Sequence, residues 1–275
     1  MIRTEMLYIL EPIRISVCLL FLLIASIYDI KNRKVSDIIW IIFAPLGLTL
    51  TLISMFSVGW GLEILLTWIL TFMITFVISI ALFYLGLFGG ADAKALMCLA
   101  IAMPYQPSLS RNIMINLYLK HSIDFLMPPP ISTFNNAVLL ATLSILPIII
   151  RNLADYIRDK RIFEGLEHES LFIKVLAFMT GYRVDVNKLH SRKHHYLLME
   201  EFVKRENGSV GRKLKIFSRL PPGERLFKVE LPADFHGKVW VTFGLPFIVF
   251  ITLGFLITVL MGDLIILLIK IVLLR

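Results

Sequence analysis

Residues 62–92 read LEILLTWILTFMITFVISIALFYLGLFGGAD, and this stretch decides the fold class. Its apolar part, 62–88, is longer than the ~20 residues that an α-helix needs to cross the ~30 Å hydrocarbon core of a bilayer. The run ends at two glycines and Asp92. An ionisable side chain at the mouth of a membrane helix is costly to place, so Asp92 is a candidate functional residue.

Further apolar runs occupy most of the chain, in which 57% of the 275 residues are hydrophobic and 17% are charged. The runs predict membrane spans at 13–29, 38–58, 131–150 and 239–262, and a short, tilted helix at 93–103. The expected fold is a polytopic α-helical membrane protein with about six transmembrane helices and a small mixed α/β cytoplasmic insert. The tail, 264–275, is apolar but carries Lys270, which allows either an extension of the last helix or a surface helix.

Charge divides the chain into three predicted segments. Residues 1–150 hold five helices and both candidate aspartates, and 239–275 hold the last helix and the tail. The insert between them, 151–238, carries 18 Lys and Arg against 12 Asp and Glu, within a net charge of +8 for the whole chain. A basic segment beside membrane spans favours the cytoplasmic face, near anionic lipid. Its acids are interleaved and no recognition motif is present, which argues against nucleic acid as a partner.

The insert contains two predicted local structures. Residues 168–180 have helical spacing, with Leu171, Val175, Leu176 and Met179 on one face, and Gly181 is placed to cap this helix. Residues 213–220 and 225–231 flank Pro221-Pro222-Gly223-Glu224 and predict a strand–turn–strand hairpin.

A second carboxylate, Asp29, closes the first apolar run, and the basic linker Lys31-Asn32-Arg33-Lys34 follows it. The positive-inside rule puts this linker in the cytoplasm and the N-terminus outside. Two further crossings return the chain to the cytoplasmic face at Gly89–Asp92. We therefore expect Asp29 and Asp92 on the same side of the membrane.

Two carboxylates can hydrolyse a peptide bond without a metal or another cofactor. One accepts a proton from water while the other, kept protonated, donates a hydrogen bond to the scissile carbonyl. Close like charges push the two apparent pKa values of such a pair apart, which creates the base and the acid. No ligand cluster competes with this interpretation: the two cysteines form no CxxC pair, and His194-His195 are adjacent in a basic stretch.

Each residue also has an ordinary structural explanation. Asp92 can cap the helix that it begins, and Asp29 can pair with Arg33 one turn later. Asp37, beside Ser36, is best explained by the cap of the second span, and Lys94 by a side chain that snorkels to the membrane surface. Only the joint occurrence of two acids on one face, one of them beside a glycine pair, favours catalysis.

The stretch Gly89-Gly90-Ala91-Asp92-Ala93-Lys94-Ala95-Leu96 resembles the GxGD-type motif of archaeal preflagellin and type IV prepilin peptidases, with Ala91 in place of the second glycine. The stretch Asp29–Asp37 resembles the first-aspartate segment of that family, although Ser36-Asp37 stands where many relatives have Pro-Asn. Gly181–Val184 in the insert and Val239–Phe247 at the last span also resemble archaeal members.

This resemblance implies that Asp29 and Asp92 are the catalytic dyad of a metal-independent aspartic endopeptidase, with Gly89, Gly90, Ala91 and Lys94 as motif or substrate-binding residues. The implied partners are membrane lipid and the precursors of type IV pilin-like filaments or archaeal flagella. The implied reaction is the removal of their short, positively charged leader at the cytoplasmic face of the cell membrane. Insert acids such as Glu200 and Glu201 are candidates to steer the leader.

Two alternatives remain at the level of sequence. A presenilin or signal-peptide-peptidase type of intramembrane protease fits Tyr28-Asp29, but its Gly-Leu-Gly-Asp and Pro-Ala-Leu sequences are absent. An ion-coupled transporter would use the two aspartates as ion ligands, but transporters usually place such acids near the bilayer midplane between inverted repeats.

Overall fold

The computed structural model describes residues 2–59, 61–108, 127–187, 196–204, 210–215, 235, 237–243 and 245–273. His194-His195 and most of the hairpin predicted at 213–231 lie outside the described residues. The chain divides into two compact units, Met1–Ala141 with Pro246–Arg275, and Thr142–Leu245. We call the second one the insert unit.

The helices of the described chain follow the apolar runs closely. They are α1 (Ile2–Asn32), α2 (Asp37–Val58), α3 (Leu62–Tyr84), α4 (Gly90–Ala102), α5 (Pro129–Leu143), α6 (Ile145–Arg158), α7 (Leu171–Thr180), α8 (Phe247–Met261) and α9 (Leu264–Leu273). The strands are β1 (Tyr182–Asp185), β2 (Tyr196–Leu198), β3 (Glu200–Lys204), β4 (Val210–Leu214) and β5 (Lys238–Phe243).

The chain is a mostly helical, polytopic membrane protein with a small sheet-containing region. Four helices in the described part are long and apolar enough to cross a bilayer: Ile9–Asn32, Asp37–Ser57, Leu62–Tyr84 and the continuous stretch Pro129–Arg158, which joins α5 to α6. The pair α8 and α9 adds a fifth span if it counts as one. Helix α4 has 13 residues, so it is about 20 Å long and too short to cross a ~30 Å core alone.

Helix α4 is the centre of the first unit. It contacts α1, α2, α3 and α8, and Ala95, Leu96 and Leu99 on it are almost fully buried. Its approach to α2 is close, because a Cβ built on Gly47 would lie 2.7 Å from the Cβ of Ala102. Glycine at position 47 is therefore required by packing.

The C-terminal end of α4 is held by a buried arginine. The last carbonyls of a helix have no partner within that helix, and in an apolar environment they need another donor. Arg14 of α1 supplies it, donating from Nη2 and Nε to the carbonyl of Ala102 at 2.7 and 3.0 Å. Its Nη1 donates to Ser54 Oγ at 3.2 Å, and Thr51 Oγ1 donates to the carbonyls of Ile101 and Ala102 at 2.8 and 3.1 Å.

The tail forms a helix of its own, α9, after a break in the helical run. Helix α9 is bent by 56° from α8. The break lies at Gly262, which has φ 79°, and at Asp263, whose Oδ1 accepts from the backbone N–H of Ile265 at 2.9 Å. Buried Asn136 of α5 donates to the carbonyl of Gly262 at 2.8 Å and accepts from the N–H of Leu264 at 2.9 Å. The bend is therefore fixed by hydrogen bonds.

The last predicted span begins later than expected. We predicted a helix over 239–262, but residues 238–243 form strand β5, and α8 begins at Phe247. Strand β5 is the centre of a three-stranded antiparallel sheet of order β1–β5–β2. Its residues Val239, Trp240 and Val241 are buried, and a strand buried on both faces has an unbroken apolar sequence like that of a helix.

The remaining strands and the predicted helix of the insert unit differ in detail from expectation. Strands β3 and β4 form a separate antiparallel pair, so residues 213–214 belong to β4 rather than to the first arm of the predicted hairpin. Helix α7 ends at Gly181 as predicted, but with an extended φ of −136°. Glycine is needed there for close approach, since a Cβ would lie 2.9 Å from the backbone oxygen of Val241.

Replacing Arg14 by Met should destabilise the fold, because it leaves the Ala102 carbonyl without its charged donor. Hydrogen bonds to charged groups contribute about 1.5–3 kcal/mol each, so we expect a loss of about 3 kcal/mol and, with Arg14→Lys, a smaller loss. Thermal unfolding in detergent measures this. Arg158→Met, at an exposed position, is the matched control. An unchanged unfolding midpoint for Arg14→Met would show that the contact does not stabilise the helical unit.

Candidate active site

Asp92 lies in the first turn of α4 and is buried, with 8% of its surface exposed. Its Oδ2 accepts from the backbone N–H of Gly89 at 2.8 Å, which satisfies one backbone donor at the start of the helix. The sequence suggested Asp92 as the N-cap of a helix that begins at residue 93. The N-cap is instead Gly89, because α4 begins at Gly90, and Asp92 stabilises the helix start from its third position. An ionised carboxylate has several acceptor positions, so accepting from Gly89 is compatible with a catalytic role for Asp92.

The glycine pair has ordinary backbone geometry. Gly89 is extended at φ −76° and ψ 158°, and Gly90 is the first residue of α4. A Cβ on Gly90 would lie 3.7 Å from the ring of Phe83, which is a normal contact. Neither glycine adopts the left-handed conformation that would require glycine. Their contribution is the absence of a side chain next to Asp92. Ala91 packs against the hydrophobic core.

Asp29 lies in the last turn of α1 and is half-buried. Its backbone carbonyl accepts from the N–H of Arg33 at 3.1 Å, and Arg33, at φ 54°, turns the chain out of the helix. Three residues before Asp29, buried Ser26 shares a 2.7 Å hydrogen bond with Thr252 of α8. This bond fixes the final turns of α1 against α8.

The two aspartates lie at the same end of the first unit. Arg14 of α1 meets Ala102 at the C-terminal end of α4, and Cys18 and Cys98, one turn further along, share the same core cluster. The two helices therefore run antiparallel. The contact between Arg14 and Ala102 serves as the reference point. At a rise of 1.5 Å per residue, Asp92 lies about 15 Å from it along α4, and Asp29 lies about 22 Å from it along α1, in the same direction.

An ion pair provides independent support for this placement. Lys94 Nζ lies 2.6 Å from Asp37 Oδ1, and the two side chains are 44% and 70% exposed. The pair joins the start of α4 to the start of α2, close after the end of α1. Ser36, not Asp37, caps α2: its Oγ accepts from the N–H of Ile38 at 3.4 Å. Lys94, predicted as a motif residue, thus contacts Asp37.

The site rests on contacts that sequence reasoning did not single out. The ring of Phe88, directly before Gly89, lies 5.1 Å from the ring of Phe247 and 5.8 Å from that of Phe134. With Ser26–Thr252, these rings hold the ends of α1 and α3 against α8. The available signal was weak: a hydroxyl inside each of two apolar runs, and aromatic residues at the two run ends.

No group of three or more His, Cys, Asp or Glu side chains with the geometry of a metal site occurs within the described ranges.

The expectation that Glu200 steers a leader is wrong. In the insert unit, its carboxylate is fully buried and accepts from Arg212 Nε and Nη2, each at 2.8 Å, and from the backbone N–H of Trp240 at 2.7 Å. Residues 200 and 201 are neighbours on β3, where successive side chains point to opposite faces. Only Glu201 is exposed, 3.8 Å from Lys215.

Comparisons with known proteins cover most of the chain. Residues 16–146, which contain both aspartates, match the family model described as the type IV leader peptidase family. Residues 173–264 match the one described as archaeal peptidase A24 C-terminus, type II. A preflagellin peptidase of Methanococcus voltae is 28% identical over 245 residues, which is 89% of this chain and 93% of that protein.

Two further relatives are similar to the same extent. A preflagellin peptidase of Methanocaldococcus jannaschii is 28% identical over 88% of this chain and 91% of its own length. One of Methanococcus maripaludis is 27% identical over 88% of this chain and 92% of its own length. The resemblance inferred from the two aspartate motifs is confirmed.

Replacing Asp92 separates its capping role from any other role. Asp92→Asn keeps an oxygen for the Gly89 N–H, whereas Asp92→Leu removes it. A hydrogen bond to a charged group contributes about 1.5–3 kcal/mol and a neutral one about 0.5–1.5, so Leu should cost about 2 kcal/mol and Asn clearly less. Thermal unfolding in detergent measures both losses, and equal losses would contradict the cap.

Proposed function

This chain belongs to the type IV leader peptidase family, and on that premise we propose that it removes the leader peptide from precursors of archaeal flagellins or type IV pilin-like proteins. It is a membrane peptidase of the aspartic type. The single observation that carries the assignment of residues is that Asp29 and Asp92 lie at one end of two antiparallel helices, inside the segment that matches the family. The comparisons favour neither the presenilin-type protease nor the transporter.

In the proposed mechanism, the two carboxylates share one proton and divide the work of hydrolysis. One removes a proton from the attacking water, and the other donates its proton toward the scissile carbonyl oxygen. The proton taken from water then passes to the leaving amine. As the C–N bond breaks, the hydroxyl formed from the carbonyl oxygen returns its proton to the other carboxylate, which restores the pair. The Gly89 N–H holds Asp92 in place, and the rigid end of α1 holds Asp29.

The surroundings of both aspartates suit an apolar substrate helix. Tyr28 and Ile30 beside Asp29 are 44% and 51% exposed, and Leu85 and Leu87 before Gly89 are 71% and 69% exposed. We propose that the apolar helix of the precursor docks against these side chains. The positively charged leader is attracted by the exposed acid Asp37 at the same end of the first unit, and this attraction is weak and is screened by salt.

Hydrolysis should need both aspartates. Asp29→Asn and Asp92→Asn should each lower the cleavage rate at least about 10²-fold, because each removes one proton-transfer group while keeping its shape. Asp37→Asn is the matched control: it changes an exposed acid at the same end and should keep most of the wild-type rate. Purified protein is incubated with leader-bearing precursors, and the new N-termini are sequenced.

The same assay tests whether a metal takes part, since a chelator should leave the rate unchanged. Full activity of either Asn variant at position 29 or 92, or loss of wild-type activity with the chelator, would rule out the proposed dyad.

The active end of the first unit should face the cytoplasm. The motivation is the basic linker at Lys31, Arg33 and Lys34, which the positive-inside rule retains on that side. In intact cells, Lys34→Cys and Leu87→Cys should resist a membrane-impermeant thiol reagent, and Leu62→Cys, at the opposite end of α3, should react. The native Cys18 and Cys98 are buried. Labelling of position 34 or 87 from outside would refute this topology.

A further inference from the structure

Helix α7 of the insert unit is apolar on two opposite faces. One face, with Ile173, Ala177 and Phe178, packs on the core of the insert unit. The other face consists of Leu171, Phe172, Val175 and Met179, which are 80%, 70%, 47% and 38% exposed. We call these four residues the outer face of α7. A soluble domain rarely leaves such a surface in water, because contiguous apolar patches mark sites of protein or membrane contact.

Helix α6 carries a second exposed apolar stripe. Leu146, Ile150, Leu153 and Ile157 are 53%, 67%, 49% and 72% exposed, and their spacing puts them on one side of the helix. Helix α6 continues α5 within the apolar stretch Pro129–Arg158 of 30 residues. Such a stretch is about 45 Å long, so it exceeds the ~30 Å hydrocarbon core, and its far end emerges at the membrane surface.

Hydrogen bonds hold α7 at the level where α6 emerges. The side chain of buried Asn152 donates to the carbonyls of Phe178 and Gly181 at 2.7 and 2.6 Å. Asn152 lies about 35 Å along the helix from Pro129, just beyond the thickness of the hydrocarbon core. The C-terminal end of α7 is therefore fixed close to the lipid headgroups of the leaflet from which α6 emerges.

Charge near the two apolar surfaces favours lipid over a protein partner. Arg151, Arg158, Lys160 and Arg161 follow the emergence of α6, and the acids from there to α7 are Asp155, Asp159, Glu164, Glu167 and Glu169. Asp159 is 3.6 Å from Arg183, and buried Glu169 accepts from the backbone N–H of Leu214 at 2.9 Å. With Lys174, the basic side chains therefore outnumber the remaining acids by five to three. Lys174 of α7 lies beside the outer face and donates to the carbonyl of Glu167 at 2.8 Å. An apolar helix face with flanking basic residues is typical of segments that lie in the boundary of an anionic membrane.

We propose that α7 is an interfacial membrane helix, and that its outer face is inserted among the lipids of the leaflet where α6 emerges. The occupant of this surface is an anionic lipid bilayer. The contact anchors the insert unit to the membrane at a second point besides the chain connection. It uses neither aspartate and is independent of the peptidase reaction.

The test measures what surrounds the outer face in the whole protein. Phe172→Cys and Val175→Cys are made with Cys18 and Cys98 replaced by Ala, labelled with a nitroxide, and placed one copy per nanodisc of phosphatidylcholine with phosphatidylglycerol. Collision rates with oxygen, which partitions into lipid, are compared with those of a water-soluble nickel complex. Glu201→Cys and Lys215→Cys, at exposed polar positions of the same unit, are the matched controls.

The proposal predicts that oxygen collides severalfold more often than nickel at positions 172 and 175, and that the order reverses at 201 and 215. Replacing phosphatidylglycerol by phosphatidylcholine should reduce the difference at 172 and 175. Three outcomes would overturn the proposal. The first is a nickel accessibility at 172 and 175 that equals that of the controls. The second is protection of these positions from both reagents, which would indicate that protein covers them. The third is spin coupling between copies in larger discs, which would indicate that a second copy covers them.

Discussion

The first unit depends on one constraint, the need to satisfy the end of a helix that is too short for the membrane. Helix α4 has 13 residues, and its last carbonyls lie among apolar helices, where an unsatisfied polar group costs several kcal/mol. Arg14 and Thr51 supply the donors. Because this contact fixes one end of α4 against α1 and α2, it also fixes how far Asp92 lies from that end.

The opposite end of α4 is held by different interactions. Asp92 closes its own helix start through Gly89, and Lys94 reaches Asp37 at the start of α2. Asp29 is positioned independently, through the bond between Ser26 and Thr252. The proposed dyad lies on two helices that are each fixed at two levels, and such preorganisation suits hydrolysis that relies on proton transfer between fixed groups.

Much of this arrangement was predictable because a bilayer demands long apolar helices and a polar site inside one is conspicuous. The spans near Asp29 and Asp92 follow from the run lengths, which put each aspartate at the end of an apolar run. The start of the last span could not be predicted in this way. Val239–Val241 lies in a central strand that is buried on both faces. Such a strand has an unbroken apolar sequence, as a membrane helix does. Nor could the sequence tell Glu200 from Glu201, since only the strand geometry decides which of the two meets Arg212.

The central claim is that Asp29 and Asp92 meet as a pair, and a cross-linking measurement tests it most directly. With Cys18 and Cys98 replaced by Ala, the variant Asp29→Cys/Asp92→Cys is treated with a short bifunctional thiol reagent, with and without a leader-bearing precursor. The account predicts an intramolecular cross-link in the presence of the precursor, and none in Asp29→Cys/Leu62→Cys, whose second cysteine lies at the other end of α3. Failure of positions 29 and 92 to cross-link under both conditions would contradict it.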